Sequence, residues 1–232
     1  MYEQTQGYAS APPVIGIDAS RRAQFITRTY THLLAAIVGF TAVEVVLFQT
    51  GLALPIAQAM LGMGWLLVLG GFMLAGWLFS SMAASAQTRP MQYLALAGYV
   101  VAEAIIFVPL LVIAEINAPG AITSAALLTL VGFGALTGIA MTTAKDFTFL
   151  GGMLRWVGVA ALLLIVGGVV FGFQLGMFFS FAMVVFAGAT ILYSTSKIMR
   201  TYPEDRYVSA ALELFASVAL MFFYILRIFS RR

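Results

Sequence analysis

Apolar runs about twenty residues long, parted by short polar breaks, recur along nearly the whole chain. A helix needs roughly 20 mostly apolar residues to cross the hydrocarbon core of a bilayer. Seven runs reach that length: 30–48, 61–82, 93–114, 121–142, 154–173, 175–198 and 208–229. The breaks carry turn-forming and helix-ending residues, at 51–55, Thr88-Arg89-Pro90, Asn117-Ala118-Pro119-Gly120, Lys145-Asp146, Gly172 and Tyr202-Pro203-Glu204-Asp205. The pattern predicts an all-α membrane protein, a seven-transmembrane-helix bundle.

Composition strengthens this. Of 232 residues, 62% are hydrophobic and 9% charged, where an average soluble domain carries about a quarter charged residues. A water-soluble globule cannot hide that much apolar surface, whereas lipid accommodates it. The length suits one domain over 23–232, behind a tail of 1–22. Residues 1–20 are polar, with Pro12 and Pro13, and lack the apolar core of a secretory signal peptide. They predict a disordered, cytoplasmic tail.

Lysine and arginine are spread unevenly. Arg21, Arg22 and Arg28 precede the first run, Arg89 follows the second, Lys145 follows the fourth with Arg155 at the far edge of that loop, and Lys197, at the very end of the sixth run, is counted with Arg200 and Arg206 in the loop after it. The intervening loops, around 49–60, 115–120 and 172–175, carry none. The positive-inside rule places the N-terminus in the cytoplasm. Arg227, Arg231 and Arg232 follow the last run. They lie outside if that run crosses fully, and inside if it enters and returns. The last run also carries Glu213, which predicts a helix surrounded by the other six rather than facing lipid.

Candidate chemistry is sparse. No cysteine is present and His32 is the lone histidine, which excludes disulfides and multi-histidine metal centres. No zinc-protease, nucleophile-elbow or P-loop motif occurs, so no enzyme, cofactor or metal is expected. Ionisable side chains inside spans are functional candidates by default, and here they are Glu44, Glu103 and Glu213. Such a carboxyl group either binds and releases protons or cations, or is a neutral acid hydrogen-bonded to a neighbouring helix. No lysine or arginine is placed at mid-membrane to neutralise them. Ser209, Glu213 and Ser217 share one helix face. His32, Trp65, Trp77, Tyr93, Tyr99 and Trp156 suit membrane interfaces. Gly70, Gly71, Gly76, Gly132, Gly134 and Gly138 suit close helix packing.

Three motifs in the second half, in order and at the right spacing, carry a family resemblance. The first is TTAKDFTFLGG at 142–152, joined to the preceding ALLTLVGFGALTGIAM. The second is Ile191-Leu192-Tyr193, and the third is YVSAALELFASVALMFFYILRI at 207–228. Together they resemble the bacterial branch of the Bax inhibitor-1 (transmembrane Bax inhibitor motif) family, strongly over about 120–229.

The resemblance implies a seven-helix bundle with the last helix central. It also implies a pH-sensitive calcium leak, gated by two aspartates that share a proton and pair with an arginine on the second span. This chain departs from that pattern. Ser194 and Ser217 stand where the family has its aspartates, and the second span contains no arginine. Losing all three is electrostatically coherent, because without the acids a buried arginine would be an uncompensated charge.

The resemblance therefore implies a slow cation leak, for calcium or protons, without the usual aspartate switch, with Glu44, Glu103, Glu213, Ser194 and Ser217 as ion-path candidates. The alternative is a non-transporting regulator that binds other membrane proteins, such as a quality-control protease. A bacterial cytoplasmic membrane is the expected location, and nucleic acid is not an expected partner.

Overall fold

A computed structural model describes residues 13–86, 88–143 and 145–230. Among them the chain forms eight α-helices: α1 (Ala19–Gln49), α2 (Ala53–Gly62), α3 (Trp65–Ser85), α4 (Arg89–Asn117), α5 (Ala121–Thr142), α6 (Leu150–Phe171), α7 (Met177–Thr201) and α8 (Tyr207–Phe229). All but α2 are long and apolar enough to cross a membrane, which makes seven candidate spans. The all-α transmembrane bundle read from the sequence is the observed fold.

The helix boundaries follow local chemistry. Asp18 caps α1, its carboxylate accepting from the backbone N–H groups of Ser20 at 3.1 Å and Arg21 at 3.0 Å. These bonds satisfy orphan donors at the helix start. The Ser20 side chain first, then the backbone N–H of Arg21, holds the Asp18 carboxyl below the usual carboxylate range. Gly120 turns the chain from α4 into α5 with φ of 83°, a conformation costly for any residue with a Cβ.

Two boundaries differ from the sequence reading. The stretch read as a break around 49–60 contains α2, whose Ala53 and Ala57 pack against Val108 and Val112 of α4. Pro55 sits in the first turn of α2, where its missing N–H breaks no helical bond. Ordered structure also begins earlier than the tail boundary at 22. Val14 is fully buried, its N–H donates to the Tyr202 carbonyl at 3.0 Å, and Pro13 bridges Pro203. The rest of the expected disordered tail, residues 1–12, lies outside the described residues. The last segment, for which the sequence left open a full crossing or a return, is one unbroken helix of 23 residues with no turn inside it. At 1.5 Å per residue it is about 34 Å long, enough to span.

α8 is the axis of the bundle. Of its apolar stretch 72% is buried, against 56% for α4 and 11% for α6. It packs against α1, α3, α4, α5 and α7, while α6 leans mainly on α7. Val208, Ala210, Ala211, Leu214 and Leu226 of α8 are fully buried. The outer helices turn Trp77, Trp156, Phe171 and Phe178 outward, which suits a lipid solvent. Tyr93 is likewise exposed. Tyr99 is buried instead, edge-on to Phe215 of α8, so it is a core residue and not an interface anchor. The Trp65 side chain lies outside the described residues.

Gly134 and Gly138 meet no neighbour that a Cβ would touch within 4 Å, so their spacing marks no helix contact within this chain. Close approaches lie elsewhere, among them Gly98 against Phe79, Gly151 against Tyr193 and Gly188 against Leu136.

Candidate functional site

α7 and α8 are consecutive and antiparallel, so residues three or four apart on one meet residues three or four apart on the other. That register creates a polar seam against the central helix. Ser194 Oγ lies 3.3 Å from Ser217 Oγ, and both residues are buried. One turn along, Lys197 Nζ donates to both carboxylate oxygens of Glu213 at 3.0 Å. The Tyr202 hydroxyl donates to Glu213 Oε2 at 2.8 Å. Burial first, then the Glu213 carboxylate, pushes the Tyr202 phenol upward, so it keeps its proton and remains a donor. Ser217 Oγ also donates to the Glu213 carbonyl at 3.1 Å, tying the serine to its own helix.

Glu213 is therefore not an unneutralised carboxylate, as the sequence suggested. Its counter-ion is Lys197, read from the sequence as a loop residue but lying in the last two turns of α7. The rings of Tyr193 and Tyr202 flank the ammonium at 5.8 and 5.9 Å, a cation–π arrangement that helps offset its desolvation. Lys197 and Tyr202 are the two site residues that sequence reasoning missed. The signal for Lys197 was its offset: three residues beyond Ser194 on one strand of the seam, where Glu213 stands four before Ser217 on the other.

Ser209 does not extend the seam. Its hydroxyl donates to the Ala83 carbonyl at 2.9 Å, and Arg206 reaches the carbonyls of Ala83 and Ala84 at 3.3 and 3.0 Å. Both side chains satisfy carbonyls that the end of α3 leaves open.

The other two glutamates stand apart from the seam, in separate cavities on different faces of α8. Glu44 lines a cavity of about 470 Å³ with Phe215, Val218 and Phe222 of α8. It is buried, and neither carboxylate oxygen has a hydrogen-bond partner. Glu103 lines a cavity of about 350 Å³ with Ala219, Phe223, Tyr224 and Arg227. Its carboxyl meets the hydroxyl of Tyr99, one turn before it on α4. The five sequence candidates thus divide: Ser194, Ser217 and Glu213 come together, and Glu44 and Glu103 do not join them.

One end of the bundle collects charge. Arg21 pairs with Glu204, and Arg28 and Arg89 lie 5.5 and 5.8 Å from the Tyr207 ring centre. His32 belongs to this end. Its Nδ1 donates to the Arg28 carbonyl at 2.7 Å, and its Nε2 lies 2.9 Å from Tyr93 Oη. In the loop between α5 and α6, Asp146 accepts from the Thr148 N–H at 2.8 Å and pairs with Arg200 at 3.3 Å. The Phe147 N–H donates to Ser196 Oγ at 3.1 Å. The KDF motif thus anchors its loop to the end of α7.

Residues 22–232 match the family model described as Inhibitor of apoptosis-promoting Bax1. A curated relative, the uncharacterized protein PA2604 of Pseudomonas aeruginosa, is 34% identical over 116 residues. That alignment covers 49% of this chain and 51% of the relative, so the chain spans about half the length of the curated relative it matches.

Proposed function

The chain belongs to the Bax inhibitor-1 family, and from that premise we propose that it is a slow cation leak, for calcium or protons, lacking the aspartate pair that would make the leak pH-switched. The observation that carries this reading is the seam on the central helix. Ser194 faces Ser217 at 3.3 Å, and the adjoining carboxylate, Glu213, is held by Lys197. A cation moving along the seam meets a carboxylate already occupied by an ammonium group. Passage requires that ammonium to swing away, which costs a charge-assisted hydrogen-bond pair. That makes the leak slow, and it replaces proton sharing by ion-pair exchange as the restraint.

In this reading the protein spans a bacterial cytoplasmic membrane. The end carrying Arg21, Arg28, Arg89, Arg200 and Arg206 faces the cytoplasm, in keeping with the positive-inside rule. With seven crossings, the C-terminus then lies on the opposite side. We read the protein as neither enzyme nor metalloprotein.

The test is reconstitution into liposomes loaded with a calcium or pH dye. The expected result is flux above that of empty liposomes, reduced by Glu213→Gln and raised by Lys197→Met. The Ser194→Asp, Ser217→Asp double variant is expected to gain a pH dependence that the wild type lacks. Absence of flux from the folded wild type overturns the reading.

One observation favours a second reading. Ala187 and Ile191 of α7 and Leu214 of α8 are fully buried beside the seam and seal it with apolar side chains. A closed bundle of this kind suits a non-transporting regulator of other membrane proteins, such as a quality-control protease. Repeated co-purification of one membrane partner, with no flux, is the outcome that selects it.

A further inference from the structure

The cavity around Glu44 is lined by none of the seam residues Ser194, Lys197, Tyr202, Glu213 and Ser217. α1 and α5 each pack on α8, and the cavity opens between them. Its inner wall is Phe215, Val218 and Phe222 of α8, and its rim residues Val45 and Leu130 are exposed on the outward face of the bundle. It therefore opens sideways, toward lipid. At about 470 Å³ it falls within the usual range for small-molecule sites, roughly 300–1,000 Å³.

The lining has one dominant polar feature. Glu44 is 7% exposed, and both its carboxylate oxygens are without a hydrogen-bond partner. Buried carboxyl oxygens left unmatched are expensive, and an occupant that pairs with them removes the penalty. Glu115 stands at the mouth as a second carboxylate, and among the described residues no lysine, arginine or histidine lines the space. The remaining wall is apolar and includes Phe40, Phe48, Phe215 and Phe222.

This chemistry selects its ligand. Calcium takes six to eight oxygen ligands, and inside the mouth the described side chains that line the cavity offer it the Glu44 carboxylate and the hydroxyls of Thr41 and Thr129, four oxygens in all. One buried carboxylate among phenylalanines is a poor site for a divalent metal. It suits a bulky organic cation, whose charge meets Glu44 while its body packs on the rings, with cation–π attraction added.

We propose that this cavity binds lipophilic organic cations from the membrane, with Glu44 as the counter-ion. The site does not depend on the leak reading.

The test is equilibrium binding of radiolabelled tetraphenylphosphonium to the full chain in nanodiscs, with protein-free nanodiscs as background. Saturable binding is expected for the wild type. Glu44→Gln is expected to weaken it by about tenfold or more, as loss of a buried charge partner does. Glu103→Gln and Glu213→Gln are expected to bind as the wild type does. Ala126→Trp takes up cavity volume from the α5 side while keeping the Glu44 carboxylate in the sequence and is expected to abolish binding, so it decides the matter if Glu44→Gln does not fold. Absence of saturable binding by the wild type overturns the proposal. So does unchanged affinity in a folded Glu44→Gln, or in a folded Ala126→Trp.

Discussion

Ser194 and Ser217 face each other across α7 and α8 with their hydroxyl oxygens 3.3 Å apart. Two hydroxyls at that distance share a hydrogen bond without charge, so this contact does not itself titrate in the physiological pH range. Replacing both with aspartate brings two carboxylates into contact range, and two such groups cannot both ionise without repulsion. The folded double variant then binds more protons than its unfolded chain, so its stability falls as pH rises. Melting temperature measured in detergent from about pH 5 to 8 is expected to decline in the double variant relative to the wild type. Parallel curves refute this.

The Lys197–Glu213 pair invites a double-mutant cycle. Lys197→Met leaves a half-buried carboxylate with Tyr202 as its remaining partner and is expected to destabilise by about 1–3 kcal/mol. Lys197→Met combined with Glu213→Leu removes both charges and is expected to cost less than the sum of the single changes. Denaturation of the four proteins in one detergent gives the coupling. Strict additivity shows that the ion pair contributes nothing.

Gly98 of α4 lets α3 approach closely. A Cβ there would lie 2.6 Å from Cζ of Phe79, which is inside van der Waals contact. Gly98→Ala is expected to destabilise by about 1–3 kcal/mol through overpacking. Adding Phe79→Ala removes the clashing ring and is expected to restore part of the loss. Thermal unfolding of the single and double variants checks this, and a single variant as stable as the wild type overturns it.

Asp146 governs the acid side. The Thr148 backbone N–H first, then the Thr148 side chain, holds its carboxyl below the usual carboxylate range, with Arg200 adding to this. A group whose folded value is lowered contributes stability above its unfolded value, and that contribution is lost as pH falls through the folded one. Asp146→Asn is expected to be less stable than the wild type near neutrality. The gap should narrow below about pH 4, where the carboxylate takes up its proton. Melting curves of both proteins across that window test it, and a gap independent of pH counts against the assignment.

Much of the architecture was legible in the sequence because lipid makes a simple demand, namely apolar runs of sufficient length. The central position of α8 was readable from Glu213, since a carboxyl group in the last span implies a protein environment rather than lipid. What was not legible depended on register. Lys197 sits at the end of an apolar run, and whether it faces water or turns back along α7 is decided by how α7 meets α8. α2 was hidden because ten residues are too few for a span and Pro55 looks like a break. The separation of Glu44 and Glu103 into two cavities depends on which face of α8 each neighbouring helix takes, and hydropathy does not encode that. The tail boundary was misplaced because the apolar stretch around Val14 is far too short for a span and follows two prolines, and its burial arises from contact with a segment nearly two hundred residues away.

That contact sets a rule for handling the protein. The Val14 N–H holds the Tyr202 carbonyl, and Arg21 grips Glu204. Trimming the chain past residue 14 would strip a partner from the turn that carries Tyr202, the hydroxyl aimed at Glu213. A load applied to the front of the chain, by a fused domain or a surface, pulls first on the hinge between α7 and α8.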